Sequence, residues 1–156
     1  MAAKKTLFME TTTVPAERTA AEITSCLVEA GATRIATEYA DGKITGLRWT
    51  MRVGPSQVER MFSRPARVDP VYQIFRKRQK GYFGDKQQAD LRAKAERVAW
   101  RQLLRWVQAQ MAMIDAGMSE AGEIFFPYMN VEAGKTVYGF FSEQGFPMLP
   151  APEKPQ

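Results

Sequence analysis

The chain contains no histidine and a single cysteine among its 156 residues. The first absence removes the commonest general base and the commonest zinc ligand. With only Cys26, no thiolate zinc site and no disulfide scaffold can be assembled from this chain. Ser-His-Asp and Cys-His catalysis are excluded within it for the same reasons. No apolar run approaches the roughly 18 residues of a membrane span. The first residues, MAAKKTLFMETTT, lack the apolar centre of a secretory signal because Thr, Glu and Lys interrupt it. A reducing, cytoplasmic setting is therefore expected. Neither a G-x-x-x-x-G-K-[ST] phosphate loop nor a D-x-[DN]-x-[DN]-G calcium loop occurs. The sequence thus calls for no cofactor, no catalytic residues and no metal ligands.

What is present begins with an uneven distribution of charge. Residues 76–105 hold ten Lys/Arg against three acids, a net +7 within a chain of net +5. A local excess of this size is an electrostatic footprint for a polyanion. The length suits one domain, here residues 1–146, followed by a Pro-rich flexible tail over 147–156.

Hydrophobic periodicity supplies the elements. KTLFMETT over 5–12 alternates as a strand. Ala16, Ala20, Ile23, Leu27 and Ala30 make a helical stripe, with Pro15 in its first turn and Gly31 as its C-terminal cap. Cys26 lies beside that stripe and reads as a small core residue. Residues 33–40 and 43–53 form a hairpin around Asp41-Gly42, a type I′ turn signal. Ile35, Thr37, Tyr39, Leu47, Trp49, Met51 and Val53 should face the helices, leaving Arg48 and Arg52 on an open face. Residues 57–63 complete a meander. Asp69 is placed to cap a short helix beginning at Pro70, and 77–88 reads as a polar loop. A long helix then runs from about Gln88 to Ala116, with Trp100, Leu103, Leu104, Val107, Met111 and Ile114 on one arc. The aromatic remainder, through Phe125, Phe126, Tyr128, Phe140, Phe141 and Phe146, is expected to form a second wall of the core and to cover Trp106. Met111, Met113, Met118 and Met129 read as core filling. The fold class is α+β: an antiparallel sheet of three to four strands, packed by helices on one face, with one long helix in the C-terminal half.

Candidate contacts follow from the charge map. Lys94, Arg97, Arg101 and Arg105 form a row beside the apolar stripe of the long helix, suited to tracking phosphates. Arg76, Lys77, Arg78, Lys80 and Lys86 extend it through the loop. Tyr82 and Phe83, flanked by Gly81 and Gly84, offer stacking surfaces for unpaired bases. Arg48 and Arg52 extend the site if the sheet lies on the same side. Reversing Arg97, Arg101 and Arg105 to Glu is expected to abolish binding without unfolding the chain. Asp115, Glu120 and Glu123 read as a solvated acidic face rather than ligands of a metal nuclease.

The segment Glu96-Arg97-Val98-Ala99-Trp100-Arg101, with Trp106-Val107-Gln108-Ala109-Gln110-Met111 and Phe126-Pro127-Tyr128-Met129, is distinctive. So are Val14-Pro15-Ala16-Glu17-Arg18-Thr19-Ala20-Ala21-Glu22-Ile23, Glu38-Tyr39 and Asp41-Gly42. Together, over most of residues 6–130, they resemble an uncharacterised family of small phage and integrative-element proteins. That family has no established catalytic or binding residues to carry over. The resemblance implies a cytoplasmic protein serving element replication or recombination, or blunting host defence. The leading expectation is a non-enzymatic nucleic-acid-binding accessory protein, its partner DNA or RNA. The alternative is a protein-binding inhibitor of a host defence complex, anti-CRISPR-like, that contacts a nucleoprotein. An open sheet face with spare aromatics also admits a homodimer.

Overall fold

The computed structural model describes residues 5–148 and 150. Its organising unit is a three-stranded antiparallel meander of β1 (Arg34–Ala40), β2 (Lys43–Val53) and β3 (Val58–Pro65), in that spatial order. Asp41 and Gly42 both take positive φ, 50° and 74°, as a type I′ turn requires. Near that turn the register slips: Glu38 opposes Gly46, but Tyr39 opposes Ile44. The extra residue lets both Ile44 and Leu47 point into the core. Along β2 the alternation holds, with Leu47, Trp49 and Met51 buried and Arg48 and Arg52 exposed. On β1 only Ile35 packs against the core; Thr37 and Tyr39, expected inside, are exposed on this edge strand.

Helices cover one face. Helix α1 (Ala16–Glu29) buries Ala16, Ala20, Ile23 and Leu27. It closes in a Schellman motif, with Gly31 at φ 97° and its N–H donating to the Val28 carbonyl while Ala32 donates to that of Leu27. Helix α2 (Val68–Arg78) and helix α3 (Asp85–Asp115) form a helical hairpin. The expected cap at Asp69 is not made. Arg67 occupies the N-cap position without a side-chain bond, and the Asp69 carboxylate pairs with Arg92 across the hairpin. The expected loop 77–88 shortens to residues 79–84, because α3 begins earlier than the apolar stripe alone suggests. Its first turns are held by good helix formers such as Lys86, Gln87, Gln88 and Ala89, which carry no apolar signal.

Two clusters form the interior. The larger joins α1, the sheet and the second half of α3 through Trp49, Phe62, Trp100, Leu104 and Phe125. Trp49 stacks on Phe62 with centroids 5.7 Å apart, and Phe125 meets Trp49 edge-on at 5.4 Å. The smaller joins Val71 and Phe75 of α2 to Ala95, Val98 and Ala99 of α3.

Beyond α3 come α4 (Ala121–Phe125), a 3-10 turn (Phe126–Tyr128), the short strands β4 (Asn130–Glu132) and β5 (Lys135–Thr136), and α5 (Val137–Glu143). Met129 bridges to Phe62 of β3. This segment covers Trp106 as expected, through Phe125 at 6.0 Å and Tyr128 at 5.4 Å. It is not otherwise a core wall: Phe125 is buried, but Phe126, Tyr138, Phe140 and Phe146 are exposed, as is Met118. The small β4–β5 hairpin lies between α5 and the sheet, so α5 never reaches the main core.

Residues 5–12 are not a strand. The Glu10 carboxylate accepts the Leu7 N–H at 2.7 Å, and Glu10 and Thr12 donate to the Leu7 and Met9 carbonyls, coiling the segment into successive turns. Most of the expected tail over 147–156 lies outside the described residues. Among the described residues, no helix is long and apolar enough to cross a membrane.

Candidate nucleic-acid interface

The basic residues of 76–105 do not form one continuous surface. At the tip of the α2–α3 hairpin, Arg76, Lys77 and Arg78 occupy the last turn of α2, where cations complement the helix dipole. Gln79 leaves the helix in an extended conformation, and Gly81 takes φ 83°, which turns the chain toward α3. Tyr82 is 94% exposed. Its ring lies over Gly84, where a Cβ would sit 3.3 Å from the Tyr82 ring edge. Phe83 is half-buried beneath the Arg76 guanidinium, 4.4 Å from the ring centroid. Tyr82 is therefore free for stacking, whereas one face of Phe83 is already taken. Lys77, Lys80 and Lys86 are exposed, and among the described residues no carboxylate lies within 4.0 Å of these three or of Arg76.

Arg78 turns away from this tip. Its guanidinium donates to both Glu10 oxygens at 2.8 and 2.9 Å and to the Lys5 carbonyl at 2.7 Å. Lys94 lies 3.6 Å from the same carboxylate and 4.6 Å from the Phe75 ring centroid. The Leu7 N–H, with help from Arg78 and Lys94, holds the Glu10 carboxyl below its ordinary range against the opposing effect of burial. These two cations pin the N-terminal turns to the helical hairpin.

The rest of the row along α3 serves mostly the α1–α3 seam. Arg97 is half-buried beside Thr13, Pro15, Ala16 and Glu17 at the start of α1. Arg101 donates to Glu22 at 2.9 Å and to the buried Thr19 hydroxyl at 3.4 Å, and its side chain is only 14% exposed. Arg105 alone of this row is exposed, held to Gln108 at 2.9 Å.

Arg48 pairs with Glu38 on the open sheet face. Arg52 is exposed beside Ile114, Gly117 and Met118, at the far end of α3 from the tip. A 31-residue helix is about 46 Å long, so Arg52 and the tip loop belong to different surfaces.

Sequence reasoning missed Arg64. Strand β3 places it opposite the buried Leu47, on the helix-covered face, where it stacks against Tyr128 and Trp106. The signal was present: Arg64 stands two residues after Phe62 and shares its parity. The acids after α3 have a local use, since the Glu123 carboxylate accepts the Glu120 N–H at 3.4 Å and caps α4. Among the described residues, no group of three or more Cys, Asp or Glu side chains is placed to hold a metal ion. The Cys26 thiol is half-buried, and burial, then Glu29, pushes its pKa up, away from thiolate reactivity. Comparison with protein-family models, with curated proteins and with solved structures found no match.

Proposed function

We propose that this chain is a non-enzymatic nucleic-acid-binding accessory protein that grips unpaired strands at the tip of the α2–α3 hairpin. The observation that carries the reading is Tyr82, almost fully exposed in a loop whose flanking cations, Arg76, Lys77, Lys80 and Lys86, have no carboxylate within 4.0 Å among the described residues. An aromatic ring presented among unneutralised cations suits stacking on a base while the cations meet flanking phosphates. The resemblance to small phage and integrative-element proteins sets this role in replication or recombination of such an element, in the cytoplasm. Fluorescence anisotropy with labelled single- and double-stranded oligonucleotides, at 50 and 200 mM salt, tests it. Saturable, salt-sensitive binding stronger for single strands supports the reading; absence of binding at low salt overturns it.

One observation favours a second reading. Phe126, Val131, Tyr138, Phe140 and Phe146 leave apolar surface exposed in the C-terminal segment, the character of a protein-contact patch. It supports an inhibitor of a host defence complex that docks on protein, and self-association is the simplest form of such a contact. Sedimentation of the pure chain distinguishes self-association from capture of a host partner.

A further inference from the structure

Arg64 occupies a position that its neighbours leave to apolar side chains. On the covered face of the sheet its companions are Leu47, Trp49 and Phe62, each buried. Its guanidinium carbon lies 4.5 Å from the Tyr128 ring centroid and 5.7 Å from that of Trp106. Its Nε is buried and makes no hydrogen bond, and among the described residues no carboxylate lies within 4.0 Å of it. The two rings stabilise the cation through their faces but supply no oxygen for its N–H groups. Arg78 and Arg101 each reach a carboxylate, whereas Arg64, like the half-buried Arg97, has none among the described residues. The Nε atoms of Arg64, Arg97 and Arg101 are all buried without a hydrogen bond, so what sets Arg64 apart is the acid-free space beside its partly exposed guanidinium.

Beside Arg64 opens a cavity of about 280 Å³ between the end of β3, the start of α2 and the middle of α3. Arg67 stands at its rim, and Val71, Ala99, Leu103 and Trp106 form apolar walls. No aspartate or glutamate lines it. Gln102 also borders it, but its amide N–H is committed to the Phe8 carbonyl at 2.8 Å. Burial, against the opposing effect of Tyr128 and with a smaller contribution from Arg67, pushes the Arg64 pKa down.

We infer that this cavity is a binding site for a small organic oxyanion, a carboxylate or phosphate monoester, held by the Arg64 and Arg67 guanidinium groups with its body against Trp106, Leu103 and Ala99. Arginine's planar fork suits both headgroups. The volume is at the lower limit of ligand pockets, which favours an anion with a body of one ring. The site is separate from the tip loop, since Arg67 precedes α2 and the loop follows it.

The test uses three probes: benzoate, phenyl phosphate and inorganic phosphate. Each is titrated into the full chain while the Arg64 Nε–H and Trp106 indole N–H resonances are followed by NMR. The Arg64 signal is assigned by its loss in Arg64→Met, and the Trp106 signal by its loss in Trp106→Phe. The expected result is saturable movement of both signals by a ring-bearing probe at millimolar concentration or below. Tighter binding of benzoate assigns a carboxylate ligand, tighter binding of phenyl phosphate a phosphate ester, and inorganic phosphate should bind at least tenfold more weakly than either. Arg67→Ala, an exposed substitution that leaves the core intact, should weaken the better probe about tenfold, and Arg64→Met should abolish the Trp106 response. No saturable shift up to 10-fold above millimolar, or a Trp106 response that survives in Arg64→Met, overturns the inference. Tyr82→Ala should leave these titrations unchanged, so failure here is distinguishable from failure of nucleic-acid binding at the tip.

Discussion

Reversing Arg101 to Glu should destabilise the chain severely, although the residue belongs to a row that the sequence presents as a binding stripe. The wild-type guanidinium donates to Glu22 at 2.9 Å, with side-chain exposures of 14% and 38%. A glutamate there would place a second carboxylate beside Glu22 and remove the donor facing the buried Thr19 hydroxyl. Breaking a fully buried pair costs about 3–5 kcal/mol. Because Glu22 is more than a third exposed, solvent screens part of this, and about 2–4 kcal/mol is the appropriate range here. For a chain of this length each kcal/mol lowers Tm by about 2–4 °C, giving a fall of about 4–16 °C. Thermal and urea unfolding followed by circular dichroism measure both quantities. Reversal of Lys80, in the connecting loop and outside both helices, is the control and should lie within about 0.5 kcal/mol of wild type, since it is exposed and unpaired among the described residues. Exchanging the pair, with Glu22→Arg in the Arg101→Glu background, should restore more than 1 kcal/mol, or roughly fivefold in the folded/unfolded ratio. An Arg101→Glu variant as stable as wild type would refute the structural role of this cation. It would also return Arg101 to the candidate binding surface.

Other outcomes follow from the same geometry. If single strands bind at the tip through four phosphate contacts, the log–log salt slope should be about −2.8, roughly a 50-fold affinity loss between 50 and 200 mM salt. Tyr82→Ala should weaken that binding by about 1–3 kcal/mol in anisotropy titrations, while Phe83→Ala has the smaller effect on affinity. Glu10 has a folded pKa below its ordinary 4.5, so its contribution is full above pH 4.5 and is lost as pH falls through the depressed value. The stability difference between wild type and Glu10→Gln, measured by urea unfolding, should therefore shrink below pH 4.5 and stay constant from pH 5 to 7. Cys26, with its thiol pKa raised, should alkylate with iodoacetamide at pH 7.5 more slowly than free cysteine and reach that rate only in urea.

The elements legible in the sequence are those whose signal is local and periodic. The Asp41-Gly42 turn, the alternation along β2 and the stripes of α1 and α3 were each readable from neighbouring residues. Residues 5–12 alternate equally well, yet Glu10 satisfies the Leu7 N–H locally, and no strand lies alongside to reward extension. The candidate site was half legible. Exposure of Lys80, Tyr82 and Lys86 follows from a polar, glycine-containing loop. The neutralisation of Arg78 and Arg101 depends on Glu10 and Glu22, 68 and 79 residues away, and no local pattern encodes such pairings. Arg64 was hidden differently. The alternating run over 57–63 ends one residue before it, and the strand of the fold continues to Pro65, which carries the parity of Phe62 on to Arg64. The aromatic C-terminal segment has neither a 3.6 nor a 2.0 period, and composition alone assigned to the core side chains that remain outside.

Helix α3 gives the molecule two ends. Trp106, where the C-terminal segment is anchored, lies 21 residues beyond Asp85, about 32 Å along the helix axis. A base stacked on Tyr82 would therefore lie about 32 Å, measured along that axis, from the point where the C-terminal segment meets the helix. The nucleic-acid and protein-partner readings are then compatible in a single chain. Were both proposed partners bound, the stretch of α3 between Asp85 and Trp106 would set the spacing between them.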